Sequence, residues 1–195
     1  MLKLIMRIML VDETTERSPV LRQTLQRLGH AIAAEITDAQ QLYDAVREYS
    51  PDAVIINTAS PSRDALAQLG LITKHCPRPI ILFSQDAQRA SIREAVNVGV
   101  TAYIVNGLTA ERITPIIETA MARFEVAQSV QTELQATRNK LAERKLIERA
   151  KGLLMQEKNL SEEEAYRLLR KLAMDRSAPL AEVAEQVITY AKLLG

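Results

Sequence analysis

The run Ala53-Val54-Ile55-Ile56-Asn57 is short, apolar and largely β-branched, it closes on a polar residue, and Ser50-Pro51 stands just before it. An apolar stretch of this length bounded by turn residues predicts a buried strand, because a helix needs roughly ten residues or more. Working outward, four further runs share its character: Leu4–Val11, Ala31–Ile36, Pro79–Ser84 and Thr101–Val105. Between them lie Glu16–Leu28, Ala39–Tyr49, Arg63–His75 and Ala87–Val98, each with apolar residues three or four apart, the spacing of one helix face. Gly29-His30, Ser50-Pro51, Cys76-Pro77 and Gly99 fall at the helix exits. Strands alternating with helices predict an α/β domain, a doubly wound five-stranded parallel sheet with helices on both faces. Ligands of such sheets gather beyond the carboxyl ends of the strands.

After Thr109 the strand signals stop. Thr109 can cap a helix starting near Ala110, and between Ile116 and Gln156 only Gly152 argues for stopping it. Ile113, Ala120, Ala127, Leu134 and Leu141 repeat every seven residues along it, but the companion line holds Arg123, Gln131, Thr137 and Arg138. One clean line and one degraded line describe a weak coiled coil, or equally a helix docked on its own domain. A second helix is predicted from a capping box, Ser161 with Glu164, to about Asp175, with Ala165, Leu168, Leu169 and Leu172 as its stripe. A third starts around Pro179 and uses Leu180, Val183, Ala184, Val187 and Ile188. The expected organisation is an α/β domain over residues 1–125, a helical linker over 126–140 and a small three-helix output domain over 141–195.

At 195 residues, with 47% hydrophobic and 25% charged residues, the chain has material for a real core and does not have the composition of a disordered protein. A single cysteine, Cys76, excludes an internal disulfide, and no stretch approaches the roughly 20 apolar residues that span a bilayer. The expected location is the cytoplasm. Residues 1–137 hold 13 basic against 15 acidic residues, a balance of −2, and residues 138–195 hold 12 against 9, a balance of +3. Any argument for a polyanionic partner therefore rests on local clustering. Arg138, Lys140, Arg144, Lys145, Arg149 and Lys151 face only Glu143 and Glu148 in their segment, and Arg167, Arg170, Lys171 and Arg176 follow on the next helix. Lys145 with Arg149, and Arg167 with Arg170 and Lys171, are spaced to share helix faces, and Lys151 extends the first group. Such faces neutralise phosphates, though most basic helix faces are simply solvated. Tyr166 is the one aromatic beside a basic cluster, and it fits the core of the module equally well. Ala150 and Gly152 permit close approach, either of RNA or of a neighbouring helix.

Asp12 and Glu13 close the first strand, Asn57 the third and Ser84 the fourth, and Asn106 follows the fifth. This order of elements and strand-end residues resembles the response-regulator receiver domain, of the flavodoxin-like type, over roughly residues 1–125. The resemblance implies a phosphorylation pocket in which the acidic pair and an aspartate after the third strand bind Mg²⁺, the aspartate takes the phosphoryl group, and a Ser or Thr and a lysine hold it. Asp12, Glu13 and Ser84 match that pattern; Asn57 and Asn106 depart from it. A neutral amide is a poor phosphoryl acceptor, since its nitrogen lone pair is delocalised and its oxygen carries no full charge. Asn106 in place of the lysine removes the cation that would pair with the phosphate. The pocket is degenerate on this reading. Weak Mg²⁺ binding at Asp12 and Glu13 and an ordinary solvated acidic loop are both compatible with what remains.

The segments Ile147–Met155, Ser161–Arg170 and Leu180–Ala184 resemble the ANTAR output domain: an Ala-Lys-Gly at 150–152, a Leu-Met at 154–155, a Ser-x-x-x-Ala-aromatic start at 161–166, a Leu-Arg at 169–170 and a closing Val-Ala at 183–184. The resemblance implies a three-helix module that binds paired hairpin loops in leader RNA and prevents termination of transcription. Arg144, Lys145, Arg149, Lys151, Arg167, Arg170 and Lys171 are the candidate RNA contacts. Joined to a degenerate receiver, the chain resembles the nitrate-responsive antiterminators, which implies control by a nitrate-sensing, solute-binding-like regulatory protein that sequesters it, and a homodimer on RNA. The competing readings are a DNA-binding response regulator and a pure protein-interaction module. No Gly-rich phosphate loop, zinc-ligand array or nucleophile elbow occurs, so a regulator without cofactor or metal, not an enzyme, is expected.

Overall fold

In the computed structural model, which describes residues 5–13, 18–106 and 109–194, five parallel strands form one sheet in the order β2-β1-β3-β4-β5. The strands are β1 (Arg7–Asp12), β2 (Ala31–Ile36), β3 (Ala53–Thr58), β4 (Ile80–Ser84) and β5 (Ala102–Val105). Helices α1 (Ser18–Arg27), α2 (Leu42–Tyr49), α3 (Arg63–His75) and α4 (Arg89–Asn97) form the crossovers. The predicted starts at Leu4 and Glu16 lie outside the described residues. Two predicted helices are shorter than their periodicity suggests, for the same local reason. The Asp38 side chain accepts from the Gln40 N–H and tightens Ala39–Gln41 into a 3₁₀ turn ahead of α2. Asp86 likewise accepts from the Gln88 N–H at 2.7 Å, so α4 begins only at Arg89. Short acidic side chains compete with the helical ladder for these first N–H groups.

The central strands are buried on both faces and split their side chains strictly. Met9, Val11, Val54, Ile56, Ile80 and Leu82 meet α2 and α3, whereas Ile8, Leu10, Ile55, Ile81 and Phe83 meet Leu21 and Leu25 of α1 and Ile113 and Ile117 beyond β5. A period of two on each strand explains why these runs are continuously apolar and not alternating. Gly99 turns the chain from α4 to β5 at φ +100°, where a Cβ would lie 2.5 Å from the Thr73 side chain, so both backbone and space demand glycine.

From Ala110 a single 49-residue helix, α5, runs to Lys158, through Pro115 and Gly152. It is followed by α6 (Glu162–Asp175) and α7 (Leu180–Leu194). The chain divides into two compact units, residues 1–128 and 129–195, each with its own core. The seven-residue line of α5 divides with them. Ile113 and Ala120 are fully buried in the core of the first unit, while Leu134 and Leu141 are exposed. Docking on its own domain therefore accounts for the first part of the line and leaves the second without a partner in the described chain.

In the second unit Ala150 and Leu154 of α5 pack against Ala165, Leu169 and Ala173 of α6 and Val183, Ala184 and Ile188 of α7. Ser161 caps α6 reciprocally with Glu164, closing the predicted capping box. Full burial of a side chain such as Leu169 or Ile188 contributes roughly 1.5–3 kcal/mol. A cap contributes about 1 kcal/mol, so packing holds the module and the cap sets where α6 begins. Among the described residues no helix is long and apolar enough to cross a membrane.

Candidate functional site

The register of the sheet brings the strand-end residues together. Asp12 is paired with Asn57, and Thr58 with Ser84. Asp12, Asn57, Thr58 and Ser84 are all buried, whereas Glu13 and Asn106 are exposed. The Asn57 amide donates to Asp12 Oδ1 across 3.1 Å. An ionised carboxylate only accepts, so the amide must turn its NH₂ towards it. Glu13 donates its backbone N–H to the Asn57 carbonyl, and its carboxylate accepts from Thr58 Oγ1 at 2.6 Å. Ser84 Oγ donates to the Ala59 carbonyl at 2.9 Å and accepts from the Asp86 N–H. Asn106 adopts a left-handed conformation, φ 48°, and its N–H donates to the Ser84 carbonyl.

This donor set does not fit a divalent cation. An aspartate in place of Asn57 would offer an anionic oxygen; here an N–H₂ points at Asp12, and Glu13 is engaged by a hydroxyl. Hard cations want several charged or carbonyl oxygens converging on one point. No group of three or more His, Cys, Asp or Glu side chains able to hold a metal occurs among the described residues.

Sequence reasoning missed the residues that complete this end of the sheet. Thr58 belongs to β3 and is buried, and its hydroxyl bridges Glu13 and the Ser60 carbonyl. Ser60 donates to Asp86, and Tyr103 donates its hydroxyl to the Asp86 carbonyl at 2.9 Å. The Gln88 N–H, then the Ser91 and Ser60 hydroxyls, hold the Asp86 carboxyl below its usual range, while burial pushes the Tyr103 phenol up. The signal was present in Asp86-x-Gln88, an Asx-turn spacing, but its other partners come from the loop after β3, from α4 and from β5.

In the second unit the structure separates the candidate basic residues into two kinds. Arg144, Lys145 and Arg149 on α5 and Arg167, Arg170 and Lys171 on α6 are exposed. Only Arg167 pairs with an acid, Glu163 at 3.7 Å, on a strongly solvated surface where such pairs contribute little. Lys151 differs. It is 8% exposed, and its Nζ lies 2.7 Å from Glu162 and 3.0 Å from Glu148. Its hydrogen bond to Glu162, then that to Glu148, raises its pKa, and the same lysine lowers that of Glu162. Its charge is answered inside the protein, so it does not extend the exposed group formed by Lys145 and Arg149. The small pair divides too: Ala150 is fully buried in the helical core, while a Cβ at Gly152 would meet nothing within 4 Å. Tyr166 is 40% exposed beside Arg167 and Arg170, not part of the core.

Residues 8–118, more than half of the chain, match the response regulator receiver domain, and residues 135–188 match the ANTAR domain. The chain is an ANTAR-domain response regulator. This regulator is similar to the transcriptional regulatory protein PdtaR of Mycobacterium tuberculosis (strain ATCC 25618 / H37Rv), 31% identical over 168 residues that cover 86% of the regulator and 82% of the relative. It is also similar to the nitrate regulatory protein of Klebsiella oxytoca, 39% identical over 66 residues that cover 34% of this regulator and 17% of that protein. The signal receiver domain of a modulated diguanylate cyclase from Desulfovibrio desulfuricans G20 shares its fold, with a TM-score of 0.56 at 16% identity over 63% of the regulator and 98% of that chain. Receiver and ANTAR domains together make the chain a regulatory protein.

Proposed function

We propose that this regulator binds hairpins in leader RNA through its ANTAR domain and prevents transcription termination, under the control of a sequestering partner and not of phosphorylation. The observation that carries the reading is the exposed set Arg144, Lys145 and Arg149 on α5 with Arg170 and Lys171 on α6, none paired with an acid among the described residues. A phosphate backbone is the ligand that releases counterions on meeting such a surface. Few aromatics accompany these cations, which suits a folded hairpin gripped by its backbone more than an extended single strand. The Asn57–Asp12 hydrogen bond supports the other half of the proposal. It leaves the receiver without an anionic acceptor but with an intact sheet, so the domain can still present a docking surface.

The relative from Klebsiella is named a nitrate regulatory protein, which favours a nitrate-sensing, solute-binding-like protein as the sequestering partner. Gel-shift titration of a two-hairpin leader transcript checks the RNA half. Arg149→Ala and Arg170→Ala should each weaken binding about tenfold, the value of one hydrogen bond to a charged group, and lower the salt slope by roughly 0.7–0.9. Unchanged thermal melting shows that the module stays folded. Wild-type affinity in both variants, or preference for promoter duplex over the transcript, would sink the reading.

A further inference from the structure

Gly152 lies in the interior of α5, where glycine is the least favourable residue after proline. Interior glycines are usually explained by a close neighbour, and here there is none within 4 Å of the missing Cβ. Nothing inside the second unit requires it. Lys145, Glu148, Arg149, Met155 and Gln156 stand seven, four and three residues before it and three and four after, which puts them on its face of the helix. All five are exposed. The Glu148 carboxylate is answered by Lys151 at 3.0 Å, whereas Lys145 and Arg149 have no acidic partner among the described residues. The face is therefore bare at Gly152 and cationic on the N-terminal side of it, with Met155 and Gln156 on the other.

We propose that an RNA backbone closes directly onto α5 at Gly152, beside Arg149 and Lys145, and that the absent side chain is what admits it. Glycine is the residue that lets a ligand approach the protein backbone, and a phosphate set against the helix there comes within reach of both cations. A second copy of the chain is the other occupant that a helical glycine could serve. The charge argues against a parallel pair centred here, because it would bring the Lys145 and Arg149 of each copy towards those of the other.

The inference rests on the RNA-binding reading and is tested with it, using the full chain and a two-hairpin leader transcript. Gly152→Ala should raise Tm by roughly 2–4 °C, since a helix-interior methyl in open space is favourable. The same substitution should weaken RNA binding by about tenfold or more and flatten its salt dependence by roughly one phosphate contact. Gly70, in α3, also has open space around a Cβ, so Gly70→Ala should give the gain in Tm with no change in affinity. If Gly152→Ala binds the transcript like wild type while wild type binds tightly, the proposed contact is wrong and the RNA reading stands. If wild type itself fails to bind, both fall. A shift in sedimentation with unchanged RNA affinity would assign the glycine to a second copy and overturn the proposal.

Discussion

At the scale of single residues, the central fact is the buried hydrogen bond from the Asn57 amide to the Asp12 carboxylate at 3.1 Å, made where a receiver would carry its phosphoryl-accepting aspartate. Asn57→Asp would place two carboxylates there. The new group would hold its proton more tightly than in the unfolded chain, because a like charge and burial both disfavour ionisation. The folded state would then bind more protons, and stability would fall as pH rises through the carboxylate range. We expect a loss of about 1–3 kcal/mol at neutral pH relative to wild type, recovered on acidification; thermal melts from acid to neutral pH check it, and a flat profile would contradict it. Lys151 offers a second case. Its pKa is raised by Glu162 and Glu148, so its contribution is full below the ordinary lysine value and lost as pH rises through the higher folded one. Glu162 is lowered, so its share is present above the ordinary glutamate range and lost as pH falls. Lys151→Ala should therefore lower Tm between those limits and weaken RNA binding only through the fold. Loss of RNA affinity with unchanged melting would instead make Lys151 a direct contact. Asp12, Glu13, Asn57 and Ser84 were legible because strand-end position follows from element order. The burial of Lys151 was not, since Glu162 reaches it from a different helix.

At the scale of elements, helix starts are governed by single side chains. Ser161 donates to Glu164, accepts from the Glu164 N–H, and its own N–H is satisfied by the Glu164 carboxylate. Ser161→Ala should cost about 1 kcal/mol, read as a lower Tm with retained helicity; no change would mean that packing alone sets the start of α6. The capping box could be read directly from Ser161 and Glu164 because both its residues are local. The shortened starts of α2 and α4 could not be judged by periodicity, which does not register a carboxylate bonding two residues ahead. Helix α5 shows the same limit at greater length. Its heptad line is continuous in sequence, but Ile113 and Ala120 are covered by the first unit while Leu134 and Leu141 are 42% and 55% exposed, as is the neighbouring Val130 at 60%.

For the whole molecule, we propose that this exposed stretch pairs with a second copy of the chain on RNA. A parallel pair of helices would bury Val130, Leu134 and Leu141 and carry two ANTAR modules, matching two hairpins. Effective concentration then strengthens the second contact without any new one. Leu134→Glu with Leu141→Glu should shift the chain to monomer in sedimentation and lower affinity for the paired hairpins far more than for one. Equal losses on both RNAs, or an unchanged sedimentation coefficient, would remove the dimer from the mechanism.

The order of elements, the two kinds of unit, the cap of α6 and the absence of an acid at position 57 follow from the sequence alone, because each depends on period, spacing or the chemistry of one side chain. Only the tertiary structure decided which of the basic residues face solvent, which of Ala150 and Gly152 serves the core, and how far α5 is covered. Those outcomes depend on what other segments place opposite a residue, and a neighbour distant along the chain leaves no mark on the local pattern. Asn57 could be read as a lost acceptor from its type; that its amide satisfies Asp12, and so leaves the sheet end intact, required β1 and β3 to be seen side by side.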